Sequence, residues 1–320
     1  MQLLSSTHFI VGRKKGYAMV IGDSELCDIE LSEILGEGAD FQVFGAENVR
    51  TGANLVIKRP HPVLISRNQH QAVENRIRYS MKLRDLLGGC MPHVPELIGV
   101  SESGDNVKVF GDDLGNDYIF TVELRAEGIP LIGATADALK QHPVGLPMNL
   151  FCLYPLRAHS IRGSTPIFLD VLETVESFYN AGVLLMDVRP QNVFYEPKTG
   201  NISIIDLGDL HKLGAITRKA PSLDINDMVL DLFSWYIPIN DPPKIWHSWT
   251  QALGPQKSSI FEQAVDDIIG LFSADPLTED KYVAIKILNR IKMRRYTTIH
   301  EFTLDVCELF RCRTNRLRAD

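Results

Sequence analysis

The chain has 320 residues, 45% of them apolar and 23% charged, with a formal net charge of −7. This is the composition of a globular protein and excludes collagen-like, fibrous and disordered classes. The acidic balance argues against a chain whose main affinity comes from neutralising nucleic-acid phosphates, and no apolar run approaches the length of about 18 residues that spans a bilayer. At roughly 150 residues per domain, the length suggests two globular units or one bilobal one. The five cysteines are scattered with no C-x-x-C pair, which points to reduced thiols and away from a disulfide framework or zinc cluster. The first residues lack the basic-then-apolar pattern of a secretory signal, so a soluble, cytoplasmic protein without a membrane span is expected.

Residues 31–58 alternate apolar and polar positions around glycines and end in Leu55-Val56-Ile57-Lys58, the pattern of strands joined by a glycine turn. From Asn68 to Leu87, the apolar residues Val73, Ile77, Met81 and Leu87 recur at near-helical spacing, and Gly88-Gly89 supplies a stop. Val107 to Phe110 and Tyr118 to Leu124 read as further strands around the turn-rich segment 111–116. Beyond them, helical patterns occupy 166–180, 226–237, 259–273, 281–293 and 299–311, with short strands near Val193-Phe194 and Ile202–Ile205. A strand-rich small lobe followed by a helix-rich large lobe is an α+β layout, with a cleft expected between the lobes.

Gly36-Glu37-Gly38 leads into Val43, and glycines at such a turn let the backbone lie over phosphates with no side chain intervening. A plain glycine hairpin is an equal reading, since Phe41 stands where a third glycine would complete G-x-G-x-x-G. Lys58, ending an apolar strand, can place its ammonium on nucleotide phosphates, although a lone lysine at a strand end more commonly snorkels to water. Glu74 is the only acidic residue between Lys58 and Asp85, and so the local candidate to hold that lysine charged and oriented. Its bland alternative is a surface pair with Arg78 one helical turn on.

The strongest signal is the run from Gly182 to Phe194, which contains Asp187, Arg189 and Asn192, followed by Asp206-Leu207-Gly208 after the apolar strand Ile202–Ile205. An acid, an asparagine five positions later and a second acid at a strand end are what phosphoryl transfer from a metal nucleotide needs. Asp187 would orient the acceptor hydroxyl, while Asn192 and Asp206 would offer hard oxygen ligands to Mg²⁺.

These residues together resemble the protein kinase family. The glycine loop at 36–43, a V-A-I-K-like Leu55–Lys58, a catalytic loop similar to H-R-D-L-K-P-E-N at 185–192 and a D-F-G-like triplet at 206–208 follow in the family's order. Tyr118–Arg125 resembles the strand and hinge that hold adenine through backbone groups, which would make Val122 the gatekeeper. Asp231–Tyr236 resembles the start of the central large-lobe helix, whose aspartate buttresses the catalytic loop. The resemblance covers residues 31 to about 310. It implies a bilobal protein-kinase-like fold, with an N-terminal extension over 1–30, an N-lobe over 31–126 and a C-lobe over 127–320. It also implies ATP and Mg²⁺ as cofactors. Gly36, Gly38, Val43, Val56, Glu123, Leu124 and Phe194 would line the nucleotide, Lys58 would sit on its phosphates paired to Glu74, and Arg189 would contact the γ-phosphate.

Departures from the family pattern bear on function. Leu185-Met186 replaces the histidine and arginine before the catalytic aspartate, so activity is expected not to require phosphorylation of Thr217 or Ser222. Ala220-Pro221-Ser222 lacks the glutamate that anchors a peptide cradle. The resulting expectation is a phosphotransferase moving the γ-phosphoryl group to a hydroxyl, with Ser or Thr of a protein leading. A pseudokinase scaffold and a kinase-fold enzyme acting on a non-protein substrate stay open as alternatives. From Lys281 to Asp320, ten Lys or Arg residues face four acids, which reads as a solvated helical face in preference to a nucleic-acid surface. The nine histidines show no metal-binding spacing.

Overall fold

The structure is a computed structural model that describes residues 14–15, 18–19, 21, 26–87, 91–111, 114–130, 167–186, 188–196, 198–207, 209–213, 223–237, 258–274 and 279–317. The chain is of mixed α/β type and divides into two compact units, Met1–Cys90 with Pro95–Ala126 and Met91–Val94 with Glu127–Asp320.

In the first unit, β1 (Lys14–Lys15) and β2 (Ala18–Met19) form a short antiparallel pair. The strands β3 (Ile29–Glu37), β4 (Phe41–Asn48) and β5 (Ala53–Pro60) then run as a meander. Asn48 closes the second turn, its side-chain oxygen accepting from the Arg50 and Thr51 amides. Two helices follow, α1 (Pro62–Ser66) and α2 (Gln71–Leu86). They lead to β6 (Leu97–Val100), α3 (Asp105–Phe110) and β7 (Thr121–Leu124). The five long strands make one antiparallel sheet in the order β3-β4-β5-β7-β6.

Each face of that sheet has its own core. Ala46, Leu55, Ile57, Phe120 and Val122 are buried on one side together with Ile21 and Leu26, so residues ahead of position 31 belong to this unit's interior. On the other side, Val73, Ile77 and Met81 of α2 pack against Val100 and Ile119, with Phe41 alongside. Phe41 therefore packs, partly buried, against this core.

Residues 107–110 are helical where alternation suggested a strand. Gly104 turns the chain with φ +86, and the Asp105 carboxylate accepts from the Glu102 amide at 2.7 Å. The Phe110 ring then reaches Phe44 and Phe120, with ring centroids 5.3 and 5.4 Å apart. Aromatic packing across the turn outweighs the local preference of Val107 and Val109 for a strand.

In the second unit, β8 (Ile129–Pro130) is followed by α4 (Ile167–Asn180), β9 (Val183–Met186), β10 (Val193–Tyr195), β11 (Ile202–Ile204) and β12 (Asp209–Lys212). Helices α5 (Ile225–Tyr236), α6 (Ser258–Ala274), α7 (Glu279–Lys292) and α8 (Ile299–Leu317) complete it. Asp224 starts α5 through a capping box with Asp227, which satisfies amides that a helix end leaves open. The core is aromatic: Phe168 stacks on Tyr236 at 4.7 Å and meets Phe302 edge-on.

Four of the ten basic residues from Lys281 on are paired inside this unit. Lys286 pairs with Glu308 at 2.8 Å, Arg290 with Asp305 at 2.6 Å, Lys292 with Asp266 at 2.6 Å and Arg294 with Asp224 at 2.6 Å. Cys27, Cys307 and Cys312 form no disulfide among the described residues, while Cys90 and Cys152 lie outside them. Among the described residues, no helix is long and apolar enough to cross a membrane.

Gly128, just before β8, has φ +92, and a Cβ there would lie 2.2 Å from the Tyr195 carbonyl oxygen. Gly128→Ala is therefore expected to lower the unfolding free energy by about 2 kcal/mol or more. Gly270→Ala, in helix α6 with nothing within 4 Å of the new methyl, should be neutral or stabilising by up to about 1 kcal/mol. Urea melts of the two variants check the contrast, and equal midpoints would contradict it.

Candidate functional site

The first unit's candidate residues are set by sheet register. Gly36 pairs with Val43, Val43 with Lys58 and Lys58 with Thr121. The next row holds Gly45, Val56 and Glu123. Directly opposed residues share a face and alternate ones share it too, so Val43, Val56, Lys58, Thr121 and Glu123 look out from one side of the sheet. Gly38 closes the β3–β4 turn by donating to the Phe41 carbonyl at 2.8 Å.

Lys58 is held by a carboxylate other than the expected one. Its Nζ lies 2.9 Å from Glu123 Oε2, with the two side chains only 17% and 10% exposed. Glu74 does not take this role. Its Oε1 accepts from the Ile119 amide at 3.1 Å, and its Oε2 accepts from Gln71 Nε2 at 3.3 Å. Glu74 stands in the first turn of α2, where it pins the helix to the segment leading into β7. The Glu123 Oε1 atom lies 3.9 Å from Arg84 Nη2, and Arg84 also donates to the Pro95 carbonyl at 2.9 Å. Burial pushes the Arg84 guanidinium below its usual range, and the Glu123 charge offsets part of that shift.

The adenine contacts expected from Glu123 and Leu124 are also redirected. Glu123 lies in β7 between β5 and β6, opposite Val56 on one side and Leu97 on the other. The Leu124 amide donates to Glu96 O at 2.9 Å. The Leu124 amide is thus already engaged within this unit. Val122 is fully buried with Ile57 on the opposite face from Lys58, so alternation places Thr121 and Glu123, not Val122, beside the lysine.

In the second unit, two antiparallel pairings flank the candidate residues after β9. Strand β10 pairs with β11, Val193 opposite Ile204. The ladder continues as the Ile205 amide donates to Asn192 O at 2.9 Å, so Asn192 sits directly across from the residue preceding Asp206. Strand β12 returns to β9 with Asp209 opposite Met186. Asp187 and Gly208 lie outside the described residues, as do Thr217 and Ser222. A single helical turn over Pro190–Asn192 carries the chain into β10, closed by the Asn192 amide donating to Arg189 O at 2.8 Å. Phe194 stands between Ser203 and Pro130. Asp206 is exposed, while Asn192 and Arg189 are half-buried.

The pattern of residues missed Tyr236, whose hydroxyl donates to Val188 O at 2.9 Å. That bond ties the last turn of α5 to the loop carrying Arg189 and Asn192. It also missed a cluster of His93, Asp170 and Glu173, whose ligand atoms lie within 4.8 Å of one another. There, His93 Nε2 is already hydrogen-bonded to Glu173 at 3.2 Å.

In the second unit, Asn192 and Asp206 carry oxygens of the kind Mg²⁺ takes; in the first, Lys58 carries a cation of the kind that meets phosphate. The Thr121 hydroxyl is buried with no hydrogen-bond partner, a polar atom open to a ligand on the lysine's face. A Cβ on Gly36 would meet nothing within 4 Å, so protein packing does not itself demand glycine there.

Compared with known proteins, the chain matches no protein-family model and no curated protein.

Tyr236→Phe keeps the ring against Phe168 and removes the bond to the buried Val188 carbonyl. It should cost about 1–2 kcal/mol in stability and speed amide exchange over residues 188–192. Unchanged stability with unchanged exchange would contradict the anchoring role.

Proposed function

We propose that the protein is an ATP-dependent phosphotransferase of protein-kinase-like fold. It moves the γ-phosphoryl group to a hydroxyl with Mg²⁺, and Ser or Thr of a protein is the leading acceptor. The observation that carries this reading is the β10–β11 ladder, extended by the Asn192–Ile205 bond. It sets the Asn192 backbone opposite Ile205, the residue before Asp206, and this supports the reading because Asp187, Asn192 and Asp206 follow one another in the order that phosphoryl transfer uses.

Each residue then has a defined task. Asn192 and Asp206 would hold Mg²⁺, which when bound offsets the charge of the phosphates. Lys58 takes a phosphate oxygen as a point charge, and Glu123 keeps its ammonium in place. Arg189 supplies a second cation, and Asp187 orients the acceptor hydroxyl. Leu185 and Met186 belong to β9, paired with Leu210 and Asp209. Neither Leu185 nor Met186 carries a basic group to receive an activating phosphate, which supports activity independent of phosphorylation.

The test is incubation with Mg²⁺ and ATP labelled at either the γ or the α position. Label from the γ position should reach a hydroxyl acceptor, and label from the α position should not. Lys58→Met and Asp206→Ala should each lower transfer about a hundredfold or more, while phosphatase pretreatment leaves the wild-type rate unchanged. Transfer of α label, or wild-type turnover by Asp206→Ala, would overturn the reading.

A further inference from the structure

We propose that Glu123, on the strand next to Lys58, is the positioning residue for that lysine, so that strand pairing and not Glu74 at the start of helix α2 sets its orientation. The proposal rests on the phosphotransferase reading of Lys58 and adds the group that controls it.

Register makes the pair. Lys58 stands opposite Thr121 and Val56 opposite Glu123, so Lys58 and Glu123 are diagonal neighbours on one face of adjacent strands. Diagonal neighbours are within reach of long side chains, and here the charged atoms close to 2.9 Å. Both side chains are largely shielded, so their attraction is screened less than that of a surface pair.

The carboxylate is itself fixed. One oxygen faces Lys58, and the other faces the Arg84 guanidinium at 3.9 Å. Arg84 is held in turn by the Pro95 carbonyl. The helix residue that could have competed is occupied, since both Glu74 oxygens accept hydrogen bonds within α2 and from Ile119. Moving the first turn of α2 would break the Glu74 bond to Ile119 and leave the Lys58–Glu123 pair standing. An ion pair between adjacent strands cannot be opened by a swing of that helix end, so Lys58 stays oriented whatever the position of Glu74.

The experiment acylates lysines of the full-length chain with an amine-selective ester and follows Lys58 by peptide mass spectrometry, with exposed Lys82 as reference. Glu123→Gln removes the carboxylate 2.9 Å from the ammonium and should speed Lys58 labelling about tenfold, whereas Glu74→Gln should leave it at the wild-type rate. Glu123→Asp keeps the charge with a shorter reach and should fall between the two, which preserves the test if Glu123→Gln folds poorly. In the transfer assay, Glu123→Gln should lower kcat about tenfold or more with a smaller change in KM, and Glu123→Asp should recover part of the loss. Faster Lys58 labelling in Glu74→Gln, with both Glu123 variants at the wild-type rate, would overturn the proposal. A wild-type chain that transfers no phosphate yet keeps the labelling contrast would remove the phosphotransfer reading and leave the Lys58–Glu123 anchor in place.

Discussion

The register between β5 and β7 is the constraint on which the first unit depends. Side chains alternate along a strand, so a slip of one residue would exchange the two faces of the sheet. Ile57 and Val122 are fully buried, and each contributes about 1.5–3 kcal/mol by leaving water. The ion pair on the other face could not set the register by itself, because desolvating two charges offsets much of their attraction. The apolar face therefore chooses the register, and Lys58, Thr121 and Glu123 inherit their positions from it. The glycine at position 36 falls in the same row for the same reason.

The second unit applies similar physics to shorter strands. Val193, Tyr195, Ile202 and Ile204 are buried, as are Leu184 and Leu185, so both pairings are held by apolar side chains. The candidate groups stand where those pairings end: Asn192 just before β10, Asp206 between β11 and β12. At strand ends, side chains are released from packing while the backbone stays fixed, the usual arrangement for chemistry carried by loops on a rigid frame. Helix α5 supports the arrangement through the Tyr236 hydroxyl on Val188.

How much of this was legible in the sequence depends on how local each signal is. The helix expected over 68–87 is found over 71–86, because its apolar spacing and glycine stop are local. Strands β4 and β5 were legible from alternation within a single run. Strands β9 and β12 were not. Val183–Met186 is a continuous apolar run with no period, and Asp209–Lys212 has one apolar residue, so only their mutual pairing makes them strands. Val107 and Val109 have strand propensity, and aromatic contacts across a turn overrode it. The partner of Lys58 was missed for the same physical reason. A search near the lysine finds Glu74, whereas Glu123 lies far along the chain and is brought alongside only by strand pairing. The order of Lys58, Asn192 and Asp206 was readable, and the contacts each one makes were not.

The central proposal is that the chain binds ATP with Mg²⁺ through Lys58, Asn192 and Asp206, and calorimetric titration of ATP with and without Mg²⁺ tests it most directly. The account predicts tighter binding with Mg²⁺ in the wild type, weaker binding under both conditions in Lys58→Met, and loss of only the Mg²⁺-dependent gain in Asp206→Ala. Binding that ignores Mg²⁺ in the wild type, or that both substitutions leave unchanged, would contradict it.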